Sequence, residues 1–233
     1  MSDRASPRPP RNRPLVYSLY EKPVSGEQIE AFSLEIVDRE ASPHGFSDGQ
    51  WHVVRRLVHA TADFGIVGQA RFSPEALDSA IEALGSGRPI VADSTMIRHG
   101  LSLSRLRTVC SDYSSEHIFC HVADEDVACK AKETGLPRSL FAVRKAKPIL
   151  QGSIAAFGNA PVGLMELNRI ILEDGLRPAL VIAMPVGFVH VVEAKEELMC
   201  LGVPYVCIAG RRGGSPLAVS TIHALCSLAL REG

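Results

Sequence analysis

The sequence predicts an α/β fold with a mostly parallel sheet, built as a single domain. From Pro89 onward, short apolar runs bounded by Gly, Pro or Asp alternate with amphipathic stretches, a pattern typical of parallel strands joined by helices. The chain before Pro89 has mainly helical patterns, and no repeat or linker interrupts residues 25–233. We therefore expect a flexible basic tail at 1–24 and one domain at 25–233.

The first helices are predicted from their start signals. Ser25 and Ser47 are each followed three residues later by Gln, a pattern in which side chains and backbone satisfy each other's unpaired donors. Helices are expected near 26–40 and 48–61. A third helix opens at Ser73-Pro74 and ends at Gly85, because proline suits the first helical position.

The second part of the chain supplies the predicted strands and the helices between them. Each strand is a short apolar run bounded by turn residues. The predicted strands are Ile90–Ala92, Ile118–Val122, Ile154–Phe157, Ala179–Met184 and Tyr205–Ile208, and the helices lie at about 125–134, 138–147, 161–174, 189–201 and 216–230.

Composition excludes some classes of function. Of the 233 residues, 46% are hydrophobic, which excludes a largely disordered chain. Lys and Arg number 25 against 26 Asp and Glu, so the formal net charge is -1. Broad nucleic-acid surfaces need many uncompensated cations, so no nucleic-acid partner is expected, whereas a local anion site is compatible with this charge. Four arginines and four prolines in residues 1–14 predict a solvated tail rather than a nucleic-acid arm.

The remaining composition favours a cytoplasmic protein. The six cysteines form no Cys-x-x-Cys pair, and the eight histidines form no cluster with metal-ligand spacing, so no metal site is expected. No run approaches the roughly 18 apolar residues of a membrane helix, and the N-terminus lacks the apolar segment of a signal peptide.

Three loops after predicted strands form the first candidate site: 158–161, 184–188 and 210–215. Such loops meet at the carboxyl ends of parallel strands, where helix N-termini present N–H groups to anions. Arg211 and Arg212 add charge suited to carboxylate or phosphate. Each loop alone also fits an ordinary turn, and no nucleotide-binding glycine motif is present. Together they predict an anionic ligand at one edge of the sheet.

The second candidate lies on the helix at 48–61. Arg55 and Arg56 precede His59 by about one turn, so all three could face one anion, and a histidine can exchange a proton near neutral pH. A packing or surface histidine is the alternative. Asp93, at the end of a strand, either orients a ligand or caps the next helix.

Six motifs in order resemble the precorrin-8X methylmutase family, also called cobalt-precorrin-8 methylmutase. The resemblance runs from about Ser25 to Leu230. The motifs are Val53-Val-Arg-Arg-Leu-Val-His-Ala-Thr-Ala-Asp-Phe64, Phe72-Ser-Pro, Gly158-Asn-Ala-Pro161, Met184-Pro-Val-Gly-Phe-Val189, Glu193-Ala-Lys195 and Gly210-Arg-Arg-Gly-Gly-Ser215.

The resemblance implies an isomerase of cobalamin biosynthesis. It implies that a methyl group moves from C11 to C12 of a polycarboxylated tetrapyrrole, in a three-layer α/β/α homodimer that needs no cofactor. His59 matches the family's histidine, a proton donor to the macrocycle, and Ser33, Arg56 and Arg138 match substrate-contacting residues. The further expected substrate contacts are Asp93, Gly100, Asn159, Arg211 and Arg212.

Two departures from the family pattern leave other functions open. Phe32 stands beside Ser33 where the family usually has arginine, and His190-Val-Val replaces small residues at a helix start expected to face the site. These changes motivate the alternative of a corrinoid-binding protein without catalysis. The glycine-rich loops alone motivate a nucleotide-binding protein.

Overall fold

The computed structural model describes residues 13–232, and the chain forms two compact units, Met1–Glu40 and Ala41–Gly233. The first unit contains helices α1 (Tyr17–Glu21) and α2 (Gly26–Glu40). Helix α1 lies within the segment 1–24 that was predicted to be a flexible tail. Residues 1–12 of that tail lie outside the described residues. The expected single domain at 25–233 stays a prediction.

The second unit is built on a six-stranded, mostly parallel sheet, which confirms the predicted fold class. The strand order is β1-β6-β5-β4-β2-β3, and only the edge strand β1 runs antiparallel to its neighbour. The strands are β1 (Ala70–Phe72), β2 (Ile90–Ala92), β3 (Ile118–Phe119), β4 (Ile154–Phe157), β5 (Leu180–Ala183) and β6 (Tyr205–Ile208).

Helices flank this sheet and follow most strands along the chain. Three short 3-10 turns add to them at Phe64–Ile66, Ser115–His117 and Lys147–Ile149. The helices are α3 (Asp48–Thr61), α4 (Ala76–Gly85), α5 (Thr95–Gly100), α6 (Leu103–Val109), α7 (Glu125–Thr134), α8 (Arg138–Ala146), α9 (Pro161–Asp174), α10 (Val191–Met199) and α11 (Ser215–Glu232).

The start of α3 follows directly from its sequence. The Ser47 hydroxyl accepts a hydrogen bond from Gln50 N at 3.3 Å, and Gln50 Oε1 accepts one from Ser47 N at 3.1 Å. This reciprocal pair satisfies two donors at the helix start. The same arrangement joins Ser25 and Gln28 at the start of α2.

The core lies on both faces of the central strands. Every residue of β4 and β5 is buried, which is expected of parallel strands covered on both sides. Phe157, Leu164 and Val181 belong to one buried cluster that joins β4, β5, α9 and α10. No helix among residues 13–232 is both long enough and apolar enough to span a membrane.

Several short elements were not predicted. Strand β1 has three residues with Arg71 at its centre, and it is fixed by pairing with the distant strand β6, Ala70 lying opposite Ile208. Helices α5 and α6 have only six and seven residues, too few for a clear periodic pattern. Strand β3, expected at Ile118–Val122, covers only Ile118–Phe119.

Candidate functional site

The three glycine-containing loops lie side by side at the carboxyl ends of β4, β5 and β6, which we call the carboxyl edge. Val186 N in the β5–α10 loop donates to Asn159 O in the β4–α9 loop at 3.3 Å. Gly187 N donates to Arg211 O in the β6–α11 loop at 3.3 Å, and Gly214 N donates to Met184 O at 2.8 Å. The loops therefore form one continuous surface.

Two glycines allow this close approach. A Cβ added at Gly158 would lie 2.6 Å from the Cα of Ser215, at the start of α11. A Cβ added at Gly213 would overlap the carbonyl of Met184. Any larger residue at either position would force backbone to move, so the glycines are required by packing between loops.

Asp93, at the end of β2, fixes the β4–α9 loop through its buried carboxylate. Its carboxylate accepts hydrogen bonds from Gly158 N at 3.1 Å and Asn159 N at 2.8 Å, and the residue is buried. Burial raises the pKa of the Asp93 carboxyl to about 6, and the backbone donors oppose this rise. The helix cap expected of Asp93 is instead provided by Ser94, whose hydroxyl accepts from Ile97 N.

Lys195 fixes the β6–α11 loop in a comparable way. Its ammonium group donates to Gly210 O at 2.9 Å and to Arg212 O at 2.7 Å, while the residue is 0% exposed. Burial lowers the pKa of Lys195 to about 8. Sequence reasoning gave Lys195 no role. The available signal was a lysine on the buried face of α10, among Val191 and Leu198.

The two adjacent arginines of the β6–α11 loop differ in their partners. Arg212 Nη1 lies 2.7 Å from Asp63 Oδ2, so its charge is balanced by a carboxylate. The Arg211 guanidinium carbon lies 5.5 Å from the ring centre of Phe188, and Arg211 forms no ion pair with a described residue. The substrate contact expected of each of these arginines stays a prediction.

The Arg212–Asp63 pair brings the end of α3 to the carboxyl edge. Helix α3 ends at Thr61, and His59, which is exposed, lies four residues before Asp63 in the sequence. Further back in α3, the carbonyl of Arg56 accepts a hydrogen bond from the Ser220 hydroxyl of α11 at 3.4 Å. Helices α3 and α11 thus pack antiparallel, and the Arg212–Asp63 pair joins the segment after α3 to the β6–α11 loop.

Exposed apolar side chains follow β5 at the same edge. Phe188 is 84% exposed and Val189 is 68% exposed, and Val186 is also exposed. The next residue, His190, has a left-handed backbone with φ of 58°. Contiguous exposed apolar residues beside a cation are typical of a binding surface.

Arg138 begins α8 near the start of α9. The neighbouring Ser139 Cβ lies 3.5 Å from the Cβ position of Gly163, in the first turns of α9. Since α9 follows directly from the β4–α9 loop, this contact brings the start of α8, where Arg138 is exposed, near the start of α9 at the carboxyl edge. It also lines a groove of about 450 Å³ along α7, with Lys132 and Cys129 among the other lining residues.

The sequence model of the precorrin-8X methylmutase family matches residues 28–228, which is most of the chain. The chain belongs to the precorrin-8X methylmutase family. The resemblance drawn from the six motifs is therefore confirmed, and with it an isomerase of cobalamin biosynthesis.

Relatives of this family match over nearly their whole length. The cobalt-precorrin-8 methylmutase of Leptospira interrogans is 41% identical over 217 residues, which covers 89% of this chain and 96% of the relative. The precorrin-8X methylmutase of Pseudomonas aeruginosa is 34% identical, covering 87% and 95%. The crystal structure of the precorrin-8X methylmutase from Thermus thermophilus is 44% identical, with a TM-score of 0.81, covering 89% and 98%.

Three further residues were expected to contact substrate, and each lies in a different environment. Asn159 is exposed on the β4–α9 loop. Gly100 packs closely against α11, because a Cβ added at Gly100 would lie 2.9 Å from Val219 Cγ2. Ser33 lies on α2 in the other compact unit, together with the exposed Phe32, so its substrate contact stays a prediction.

The segment His190-Val-Val, where the family has small residues, was expected to place bulk at the carboxyl edge, but one of its side chains does not. Val191 is buried, and its Cγ2 lies 3.4 Å from the Cβ position of Gly187 in the same loop. The bulk added at Val191 therefore packs inside the protein. His190 is exposed and Val192 is half-buried.

Proposed function

We propose that this chain moves a methyl group from C11 to C12 of precorrin-8X or cobalt-precorrin-8, giving hydrogenobyrinate or cobyrinate. Family membership supports the substrate class, since the relatives are methylmutases of these two compounds. The observation that carries the proposal is the Arg212–Asp63 ion pair, which joins the β6–α11 loop to the segment that follows α3, four residues beyond His59.

The carboxyl edge suits a large, flat, polycarboxylated macrocycle. Exposed apolar groups at Val186, Phe188 and Val189 offer contact to a conjugated ring. Arg211 and the exposed Arg138 offer charge to acidic side arms, and guanidinium groups match carboxylates with two parallel hydrogen bonds. Arg56, half-buried one turn before His59, is proposed as a further carboxylate contact.

His59 is the proposed proton donor. It donates a proton to a macrocycle nitrogen, which draws electron density from the conjugated system and lowers the barrier to migration. The C11–methyl bond breaks as the C12–methyl bond forms, and the proton then returns to His59. Atoms and electrons balance because the reaction is an isomerisation. General acid catalysis of this kind contributes roughly 10²–10⁴-fold to rate.

The test is turnover of an authentic substrate. Purified protein is mixed with precorrin-8X and, separately, with cobalt-precorrin-8, and the visible absorbance is followed because migration changes the conjugation. We expect conversion of at least one substrate, and the comparison assigns the metal-free or the cobalt-containing form. Tight binding of the product without conversion of either substrate would contradict the proposal and support a corrinoid-binding protein without catalysis.

We also propose a homodimer in the cytoplasm. A site for so large a ligand often draws on two subunits, and all six cysteines are free thiols, as in reducing compartments. Light scattering should report twice the 25.1 kDa mass of the chain. A mass of 25.1 kDa at all concentrations would contradict the dimer.

A further inference from the structure

We infer that Lys195 is a positioning residue, whose buried ammonium group holds the β6–α11 loop so that Arg211 and Arg212 project correctly from the carboxyl edge. The inference rests on the proposed function, because it assigns the loop to the substrate site. Lys195 lies on α10 and contacts the loop through its Nζ atom.

The contacts span the part of the loop that carries both arginines. Nζ donates to the carbonyls of Gly210 and Arg212, which flank Arg211 on either side. The carbonyl of Arg211 itself accepts from Gly187 N at 3.3 Å. Three consecutive carbonyls of the loop are therefore held from neighbouring elements.

The loop needs such an anchor because of its composition. Three of its six residues are glycine, at positions 210, 213 and 214, and Gly210 and Gly214 have positive φ of 77° and 131°. Glycine loses more conformational freedom on ordering than any other residue. Without external hydrogen bonds, a segment of this kind samples many conformations, and the arginine side chains move with it.

Core stability alone does not explain a lysine at this position. The side chain is fully buried, and among the described residues it forms no ion pair with a carboxylate. Removing an ammonium group from water is unfavourable, so a protein with an apolar side chain of similar volume at such a position is often as stable or more stable. The feature that methionine could not supply is the pair of hydrogen bonds to the loop.

The anchor also reaches the end of α3. Arg212, held by its carbonyl, forms the 2.7 Å ion pair with Asp63, which lies four residues beyond His59 in the sequence. A shift of the Arg212 backbone would therefore displace this pair. Lys195 acts on the site through Arg211 and Arg212 and is not placed against the substrate.

The experiment compares Lys195→Met with Asn168→Leu, a matched control. Asn168 is equally buried and donates to Ala194 O at 2.9 Å and Glu197 Oε2 at 2.8 Å, so it anchors the same helix without reaching the loop. Both changes replace a buried donor by an apolar side chain of similar size. Hydrogen exchange of the amides at 210–214 is measured first, and we expect at least tenfold faster exchange in Lys195→Met only.

Kinetics then test the consequence for the site. We expect Lys195→Met to raise KM about tenfold, since carboxylate binding is weakened, and to lower kcat less than His59→Ala does, since the Arg212–Asp63 pair shifts while the proton donor remains. Asn168→Leu leaves KM unchanged. In the Arg211→Ala background, Lys195→Met should add little further effect, because interacting residues are non-additive. If Lys195→Met does not fold, Lys195→Gln keeps an uncharged NH2 donor group on a shorter side chain and should give the same changes, reduced in size.

The outcomes separate the two proposals. Unchanged exchange at 210–214, or effects of Lys195→Met and Arg211→Ala on KM that simply multiply, would overturn the role of Lys195 while the wild-type protein remains a methylmutase. Failure of the wild-type protein to convert substrate would overturn the proposed function. In that case the exchange measurement still decides whether Lys195 holds the loop.

Discussion

Charged residues at the carboxyl edge are of two kinds, those that hold the backbone and those that remain available to a ligand. Asp93 and Lys195 are buried and bonded to loop backbone, and Arg212 is paired with Asp63. Arg211 forms no ion pair with any residue between 13 and 232. Of the two adjacent arginines, Arg211 is thus the one whose charge no described carboxylate balances, although the sequence gives both equal weight.

Arg211→Ala is expected to raise KM about tenfold, because one charge-assisted contact to a substrate carboxylate is lost. The increase should shrink at high salt, which screens exposed charges. Arg88→Ala is the control, since Arg88 is exposed before β2, at the opposite end of the strands. Steady-state kinetics at two salt concentrations measure both. Equal effects of the two substitutions would contradict the assignment.

Some of these residues could be chosen from the sequence and others could not. His59, Arg56 and Arg211 lie in motifs with local chemistry that is visible without a structure. The roles of Asp93 and Lys195 depend on backbone groups 65 and 15 residues away, Gly158 and Gly210. Tertiary contacts of this range leave no periodic or spacing pattern in the chain.

At the level of elements, the β5–α10 loop presents its apolar residues on a fixed backbone. Hydrogen bonds from Val186 N and Gly187 N tie it to both neighbouring loops. Phe188 nevertheless stays 84% exposed, beside Arg211. An aromatic ring held in this way is suited to stacking on a flat macrocycle.

Phe188→Ala should weaken binding of the product corrinoid about fivefold, which corresponds to about 1 kcal/mol for one aromatic contact. Phe188→Tyr should retain most of the affinity. Leu172→Ala is the control, because Leu172 is an exposed apolar residue in the last turn of α9, far along the helix from the carboxyl edge. Titration followed by corrinoid absorbance gives the affinities. Unaltered affinity in Phe188→Ala would argue against stacking.

Gly158→Ala should destabilise the protein by about 2–3 kcal/mol, because the new methyl group would lie 2.6 Å from the Ser215 backbone. Gly85→Ala should be neutral or stabilising, since a Cβ at Gly85 meets no atom within 4 Å. Urea unfolding of both variants measures the difference. A Gly158→Ala variant as stable as the wild type would contradict the described contact between the β4–α9 loop and α11.

Elements with strong local signals were predicted well. Helices α2 and α3 match their capping patterns, and strands β2, β4 and β6 match their apolar runs. Strand β1 and helices α5 and α6 were not predicted, because three to seven residues carry little local signal and pairing with β6 or packing against α11 fixes them.

For the whole molecule, two histidines predict how stability changes with pH. Burial, together with Arg231 and Arg56, lowers the pKa of His52 to about 4, and burial with Arg105 and Arg56 lowers the pKa of His223 to about 4. In the unfolded chain the value is about 6.5. The unfolded state therefore binds more protons between these values, and stability falls as the pH falls.

We expect the free energy of unfolding to drop by about 1–2 kcal/mol per histidine between pH 7.5 and 5. The pKa of Asp93 is raised to about 6, so this carboxyl stabilises the folded state as the pH falls. It is one group against two histidines, so the net free energy of unfolding should still drop. In His223→Asn the drop should be smaller, and an amide oxygen can still accept from Ser102 N as His223 Nε2 does. Urea unfolding at both pH values measures the free energy of unfolding. Equal stability of the wild type at the two pH values would contradict the predicted role of the histidines.

Composition and hydrophobic pattern predicted the fold class, and the resemblance of six ordered motifs to the precorrin-8X methylmutases predicted the family; both kinds of feature extend over most of the chain. The near-zero net charge does not reveal the proposed site, since its arginines at positions 138 and 211 are far apart in sequence, whereas α8 and the β6–α11 loop both begin near the carboxyl edge. The division at Glu40 was not anticipated, as no linker composition marks it.

The most direct test of the proposed site is the kcat of His59→Ala with saturating substrate. Loss of the proton donor should lower kcat by about 10²–10⁴-fold. Affinity for the product corrinoid should remain within about threefold, because Arg211, Arg138 and Phe188 are unchanged. Full turnover by His59→Ala would contradict the account.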